Sequence, residues 1–254
     1  MNTNSNTYTV VYTTIIVIIV AAILAFAAMS LNGRQVANMK AETIGQILKA
    51  AKIESGESNA EIINAYKSQI AEAYTVDLTG AKKGELPAED ATIFTTSQLK
   101  AQNYKIAGGE SDATLPVYVF KNGTKVVPIY GAGLWGPVWG YVAVGTDGKI
   151  VGATFDHASE TPGLGGKIKD DPAFSAQFDG KAFDFNDVVP FDIVKGGAPA
   201  GKVNAIDAIT GATMTSKGLG EAVNAWARAY APVLAAAPCC CEETQAEETT
   251  KTEE

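Results

Sequence analysis

The stretch DAITGATMTS, Asp207 to Ser216, places the hydroxyls of Thr210, Thr213, Thr215 and Ser216 and the carboxylate of Asp207 around Gly211 and Ala212. It lies just ahead of an amphipathic helical pattern. A helix start leaves backbone amides without partners, and hydroxyl side chains are groups that can meet them. On the residues alone, Ser216 could cap the helix while the other hydroxyls satisfy nearby backbone groups.

Two glycine-rich stretches could form the rest of a site. HASETPGLGGK, His157 to Lys167, is a loop by its Pro162 and by Gly163, Gly165 and Gly166, which allow backbone to approach a ligand. It is not a Walker loop, because its glycines are wrongly spaced before Lys167 and no Ser or Thr follows. GAGLWGPVWG sets Trp135 and Trp139 among glycines, where an indole could stack on a planar ligand or fill a core.

Other chemistries are constrained. His157 is the sole histidine, and Cys239, Cys240 and Cys241 stand together near the C-terminus, so the folded part has no means of building a disulfide or a structural zinc site. Asp179, Asp184 and Asp187 lack the order of a calcium loop and read as solvated carboxylates. The net charge of -8 and pI near 4.8 argue against nucleic acid, which demands clustered cations. Residues 242–254 hold six Glu and one Lys, and 236–254 reads as an acidic disordered tail.

The elements that must position these residues follow from periodicity. Residues 1–33 carry no Asp, Glu, Lys or Arg, and Val10 to Leu31 is nearly all apolar. At about 1.5 Å per residue this run can span a hydrocarbon core of about 30 Å. Ala25-Phe26-Ala27 resembles a signal-cleavage site, but the run is long and no basic segment precedes it, which favours a retained anchor. Residues 34–90 read as a helical connector with helices over Met39–Ile53 and Glu57–Tyr74, followed by a polar connection from Gly80 to Glu89. Residues 91–235 read as an α+β domain. Asn122-Gly123 and Asp147-Gly148 each sit between apolar runs and predict β-hairpins. Short strands over Asp192–Lys195 and Val203–Ile206 precede a helix over Ser216–Ala231, ended by Pro232. The fold class is α+β, an antiparallel sheet with packed helices, preceded by one transmembrane helix.

With these motifs in this order, the chain resembles the covalent FMN-binding domain family, and within it the NqrC family of the bacterial sodium-translocating NADH:quinone oxidoreductase. DAITGATMTS matches the flavinylation pattern Asp-x-x-(Ser/Thr)-Gly-Ala-Thr, and HASETPGLG and GLWGPVWG resemble the other hallmarks. The Rnf complex contains a close sibling with the same flavinylation motif and anchor, while GLWG inclines the resemblance to the quinone oxidoreductase. A membrane-anchored assembly or binding module without flavin is the alternative of another class.

The resemblance implies FMN joined to Thr213 by a phosphoester bond, made by a flavin transferase that splits FAD; Gly211 and Ala212 would then leave room for the phosphoryl group, and the amides that open the helix would hold its charge. Thr213 is then an attachment point and not a catalytic nucleophile. Asp207 is expected to serve recognition by the transferase, and Thr210, Thr215 and Ser216 to donate hydrogen bonds. Leu134 and Trp135 are expected on the isoalloxazine face, with Thr161, Gly163, Leu164 and the loop amides at its edge. Glu160 is expected to face the ring, accepting from N3 or repelling an anionic flavin, and His157 to anchor the loop. The implied activity is electron relay in a sodium-pumping NADH:quinone reductase, with no NADH or quinone site on this chain. Implied partners are flavin and iron-sulfur subunits of the same membrane complex, the transferase, and membrane lipid. The positive-inside rule, counting Arg34 and Lys40, weakly places the domain in the cytoplasm. The family places it outside a bacterial inner membrane, and nine residues before the span leave the charge rule little to count.

Overall fold

A computed structural model describes residues 6–235. The acidic tail and Cys239 to Cys241 lie outside the described residues. Helix α1 (Asn6–Ala50) is 45 residues long and uninterrupted, so the apolar run and the first expected connector helix form one rod. Its most apolar window has a mean hydropathy of 2.8 and is wholly exposed, which makes it long and apolar enough to cross a membrane. Burial begins at the other end, where Ala41, Ile44, Ile47, Leu48 and Ala50 pack on the domain. Those positions repeat at three and four residues, the spacing that puts side chains on one helical face.

Helix α2 (Asn59–Gln69) starts at a capping box in which Ser58 and Glu61 satisfy each other's backbone amides. It stops short of the expected Tyr74. Ile70–Val76 is instead strand β1, which pairs antiparallel with β2 (Lys82–Glu85) on one side and β3 (Leu115–Phe120) on the other. The helical spacing of Ile62, Ile63, Tyr66 and Ile70 is real, but the Ile70–Val76 backbone gains two ladders of partners that a helix would forgo. Residues 34–90 are therefore not helical throughout. β2 was expected as polar connection, and its exposed Lys-Lys-Gly-Glu sequence suits a sheet edge.

Helix α3 (Thr96–Gly108) crosses to β3, and β4 (Lys125–Ala132), β5 (Pro137–Val144) and β6 (Ile150–His157) follow as a meander. The sheet order is β2-β1-β3-β4-β5-β6, with every adjacent pair antiparallel. The β3–β4 and β5–β6 turns fall at the expected dipeptides, where Gly123 and Gly148 adopt φ of 80° and 77°. Helices α1 and α2 cover one face, packing Ile47 and Tyr66 into a core with Tyr118 of β3 and Tyr141 of β5. Helix α6 (Thr213–Leu234) covers the other through Leu219, Val223, Trp226 and Tyr230.

The short helices α4 (Lys167–Asp170) and α5 (Pro172–Ala176) and the strands β7 (Asp192–Val194) and β8 (Ala205–Asp207) complete the chain. β7 and β8 form a separate parallel pair. Helix α6 begins three residues before the expected Ser216 and runs past Pro232, which lies in its last turn and does not end it. Asp179 pairs with Lys52 at 2.9 Å, and Asp184 and Asp187 accept from the amides of Asn186 and Val189, so the three are turn and surface carboxylates.

Candidate functional site

Three segments distant in sequence meet at one end of the sheet. The β4–β5 connection carries Leu134 and Trp135, the loop after β6 carries His157 to Gly166, and β8 leads through Thr210 and Gly211 into α6. Glu160 joins all three. Its carboxyl group is buried, accepting from the Trp135 N–H at 2.9 Å and from the Thr215 hydroxyl at 2.6 Å. Its own N–H donates to His157 Nδ1 at 3.1 Å. A buried acceptor without these donors would cost about 1–3 kcal/mol, so the three segments are held in one arrangement.

The glycines of the motifs fit around that carboxyl group. A Cβ on Gly165 would lie 2.4 Å from Glu160 Oε2, and one on Gly133 would lie 2.5 Å from Oε1. These glycines make space for protein contacts, a role that their sequence context alone did not distinguish from ligand approach.

Thr213 is the first residue of α6 and is exposed, and its hydroxyl has no hydrogen-bond partner among the described residues. The residue before it, Ala212, supplies no side-chain cap to the first-turn amides. A 22-residue helix thus presents an uncapped, electropositive end beside a free hydroxyl. Gly211 holds φ of 83° in the turn before it, and a Cβ there would come within 3.1 Å of Leu164.

The three segments that meet at Glu160 also expose large apolar side chains. Trp135 is 66% exposed, and Leu134, Leu164 and Met214 are also exposed. Together they suit a planar ligand that they could cover. The donor-rich helix end beside this apolar rim fits a group that is phosphate at one end and aromatic at the other. Trp139, by contrast, is half-buried on β5 and packs against the core.

The remaining expected site residues divide. Thr210 is exposed, close to Thr213 in sequence, and its hydroxyl has no partner among the described residues. Thr161 lies in the loop, its carbonyl accepting from the amides of Leu164 and Gly166, and Gly163 holds the turn between them at φ 76°. His157 Nδ1 accepts from the Glu160 N–H inside the loop. Asp207 is exposed, and its Oδ1 accepts from the Ala198 N–H at 2.7 Å, tying down the 195–202 loop.

Three expectations are corrected. Thr215 is buried and donates to Glu160, so its hydroxyl is not offered to a phosphate. Ser216 is buried inside the helix and accepts from the Ile209 N–H at 3.1 Å, so it neither caps α6 nor faces the surface. For these two the reason is helix phase: residues that follow the exposed start of an amphipathic helix rotate into the core. Glu160 also faces inward, with both oxygens engaged by protein donors, and is not directed at a ring. A buried carboxylate needs such donors, and Trp135 and Thr215 supply them from the two neighbouring segments. Ser159 was overlooked in the sequence, yet its hydroxyl donates to the Trp135 carbonyl at 2.8 Å and adds a second tie between the two loops. Only its place inside the glycine-rich stretch could have drawn attention to it.

The family model described as FMN-binding domain matches residues 133–228, a span containing all three segments. The NqrC protein of the Na(+)-translocating NADH-quinone reductase of Vibrio anguillarum is 33% identical over 225 residues, covering 82% of this chain and 85% of that protein. Its counterpart of the same name from Yersinia pestis is 31% identical, covering 89% of this chain and 90% of its own length. Among solved structures, the corresponding protein from Parabacteroides distasonis superimposes with a TM-score of 0.66 at 31% identity, covering 81% of this chain and 98% of that one. Shewanella oneidensis NqrC superimposes with a TM-score of 0.63 at 26% identity, covering 78% of this chain and 97% of that one. The fold, the three converging motifs and similarity over most of both sequences lead to one conclusion: the chain belongs to the NqrC family of Na(+)-translocating NADH-quinone reductase subunits.

Proposed function

We propose that this chain is a membrane-anchored flavoprotein subunit that carries FMN in phosphoester linkage to Thr213 and relays electrons within a sodium-pumping NADH:quinone reductase. The observation that carries this reading is the free Thr213 hydroxyl at an uncapped helix end, set in a rim of exposed Leu134, Trp135, Leu164 and Met214. FMN, when bound, supplies one- and two-electron chemistry at its isoalloxazine ring.

The chain's own residues hold and shield. The amides of Thr213 and Met214 balance phosphate charge, as helix N-termini do. Trp135 and Leu134 would pack on the ring face and keep water from it, while the loop from Thr161 to Leu164 would hold its edge. Glu160 keeps the three segments in register. A covalent tether keeps the cofactor in place through every redox state, which suits a relay more than a substrate-turnover site. Helix α1 crosses the inner membrane once, with the flavin domain on its extracytoplasmic side. Other flavin and iron-sulfur subunits of the complex are the donor and acceptor.

Co-expression of the full chain with a flavin transferase, followed by a denaturing gel viewed under ultraviolet light, tests the reading. A fluorescent band that requires the transferase and disappears in Thr213→Val is expected. A dark wild-type band, with the transferase active on a known substrate, would sink the covalent linkage and leave a non-flavin membrane-anchored module as the better reading.

A further inference from the structure

Asp156 is a buried carboxylate at the C-terminal end of β6, 5% exposed, and no part of the proposed flavin chemistry uses it. Side chains alternate across β6, so Thr154 and Asp156 face α1 while Phe155 lies in the opposite core against Phe174 and Phe178. His157, the next residue, opens the loop that carries Glu160.

Three donors converge on this one carboxylate. Oδ1 accepts from the His157 N–H at 2.8 Å, and Oδ2 accepts from Gln46 Nε2 at 2.9 Å. Lys169 Nζ lies 2.9 Å from both oxygens. Gln46 belongs to α1, and its backbone carbonyl also accepts from the Thr154 hydroxyl at 3.1 Å. One turn earlier on the same helix, Glu42 stands 3.7 Å from Lys169. Lys169 belongs to α4, which begins directly after Gly166, the last residue of the loop.

Asp156 therefore grips the loop at both ends, through His157 at the start and Lys169 at the finish, and joins both to α1. The loop in turn carries Glu160, whose amide rests on His157 and whose carboxyl group holds Trp135 and Thr215. A continuous set of bonds runs from the helix that contains the apolar span to the turn that presents Thr213. Asp156 is buried while Lys169 is half-exposed, so the pair adds little net stability; removing the carboxylate nonetheless leaves the Gln46 and His157 donors without their acceptor, which makes Asp156 effective at fixing a geometry.

We infer that Asp156 is a positioning residue for the flavin seat, coupling its loop to the anchoring helix through Gln46 and Lys169. The inference rests on the proposed seat around Thr213. Asp156→Asn keeps the side-chain volume but turns a donor toward Gln46 or Lys169, and Gln46→Met removes the α1 donor while keeping helix-forming length.

Hydrogen exchange on the full chain in detergent, with and without flavin, tests this. In both variants the amides of Glu160, Leu164 and Gly166 should exchange about tenfold faster, while those within β4 and β5 keep their wild-type rates. In the flavin-loaded protein, the visible circular dichroism of the flavin should change in both variants although the covalent band on the gel remains. Wild-type exchange in the loop, or acceleration spread evenly over the sheet, would overturn the inference, since the second result marks general destabilisation. If Asp156→Asn fails to fold, Gln46→Met decides by the same criteria. A wild-type chain that never acquires flavin would defeat the covalent reading alone, because the exchange measurement needs no flavin and still judges Asp156.

Discussion

Thr215 donates a 2.6 Å hydrogen bond to Glu160 across 55 residues of sequence, and this buried contact fastens the first turn of α6 to the glycine-rich loop. Both residues belong to motifs that resemble those of flavin proteins, yet the contact is made between protein groups.

Glu160→Leu should therefore act first on structure. The apolar side chain leaves the Trp135 N–H and the Thr215 hydroxyl without their acceptor, at a cost of about 1–3 kcal/mol. A double-mutant cycle with Thr215→Val, followed by chemical denaturation of the full chain in detergent, should give a coupling energy of about 0.5–3 kcal/mol. Additive losses would show that the contact contributes nothing specific.

Gly218 and Gly220 lie two positions apart on α6 and should respond oppositely to alanine. A Cβ on Gly218 would fall 2.1 Å from the Ala132 carbonyl oxygen, so Gly218→Ala must push α6 off β4 at about 1–3 kcal/mol. At Gly220 the nearest atom is a side-chain carbon of Ile193 at 3.6 Å, an ordinary contact. Gly220→Ala should stabilise by up to about 1 kcal/mol through helix propensity. Thermal unfolding of the two variants side by side checks the sign of each.

Asp77 accepts from the Thr79 hydroxyl and amide and from the Ala81 amide, and pairs with Lys83 at 3.0 Å. The Thr79 hydroxyl first, and the Lys83 ammonium next, hold its carboxyl well below the usual carboxylate range. A folded-state pKa below the unfolded one gives stability that is present above the unfolded value of about 3.9 and is lost as pH falls through the folded one. Asp77→Asn should lower the melting temperature at neutral pH, and its gap from wild type should narrow as the medium is taken below about pH 4. A gap independent of pH would assign the effect to the turn geometry alone.

Trp135 is 66% exposed while Trp226 is fully buried, with its Nε1–H donating to the Tyr130 carbonyl at 2.8 Å and the Asn103 side chain at 2.9 Å. In flavin-free protein, acrylamide should quench mainly Trp135, and Trp135→Phe should remove most of the readily quenched fluorescence. Flavinylation at Thr213 should protect this fraction from acrylamide if Trp135 covers the ring; unchanged quenching would place the ring elsewhere.

Much of this molecule was legible in its residues. The apolar run, the turns at Asn122-Gly123 and Asp147-Gly148 and the amphipathic α6 all follow from local chemistry: side-chain transfer energy, a glycine's access to positive φ, and a three-to-four-residue repeat. The motif order pointed to the family. Tertiary structure decided what local chemistry could not. Ile70–Val76 became a strand because β2 and β3 offered it partners on both sides. Thr215, Ser216 and Glu160 turned inward because helix phase and burial, rather than residue type, determine which hydroxyl or carboxyl group meets solvent. Asp156 gained its place through Gln46, 110 residues away, and Lys169, 13 away. Hydrogen-bond partners so far apart are chosen by the packing of α1 on β6, which no window of sequence contains.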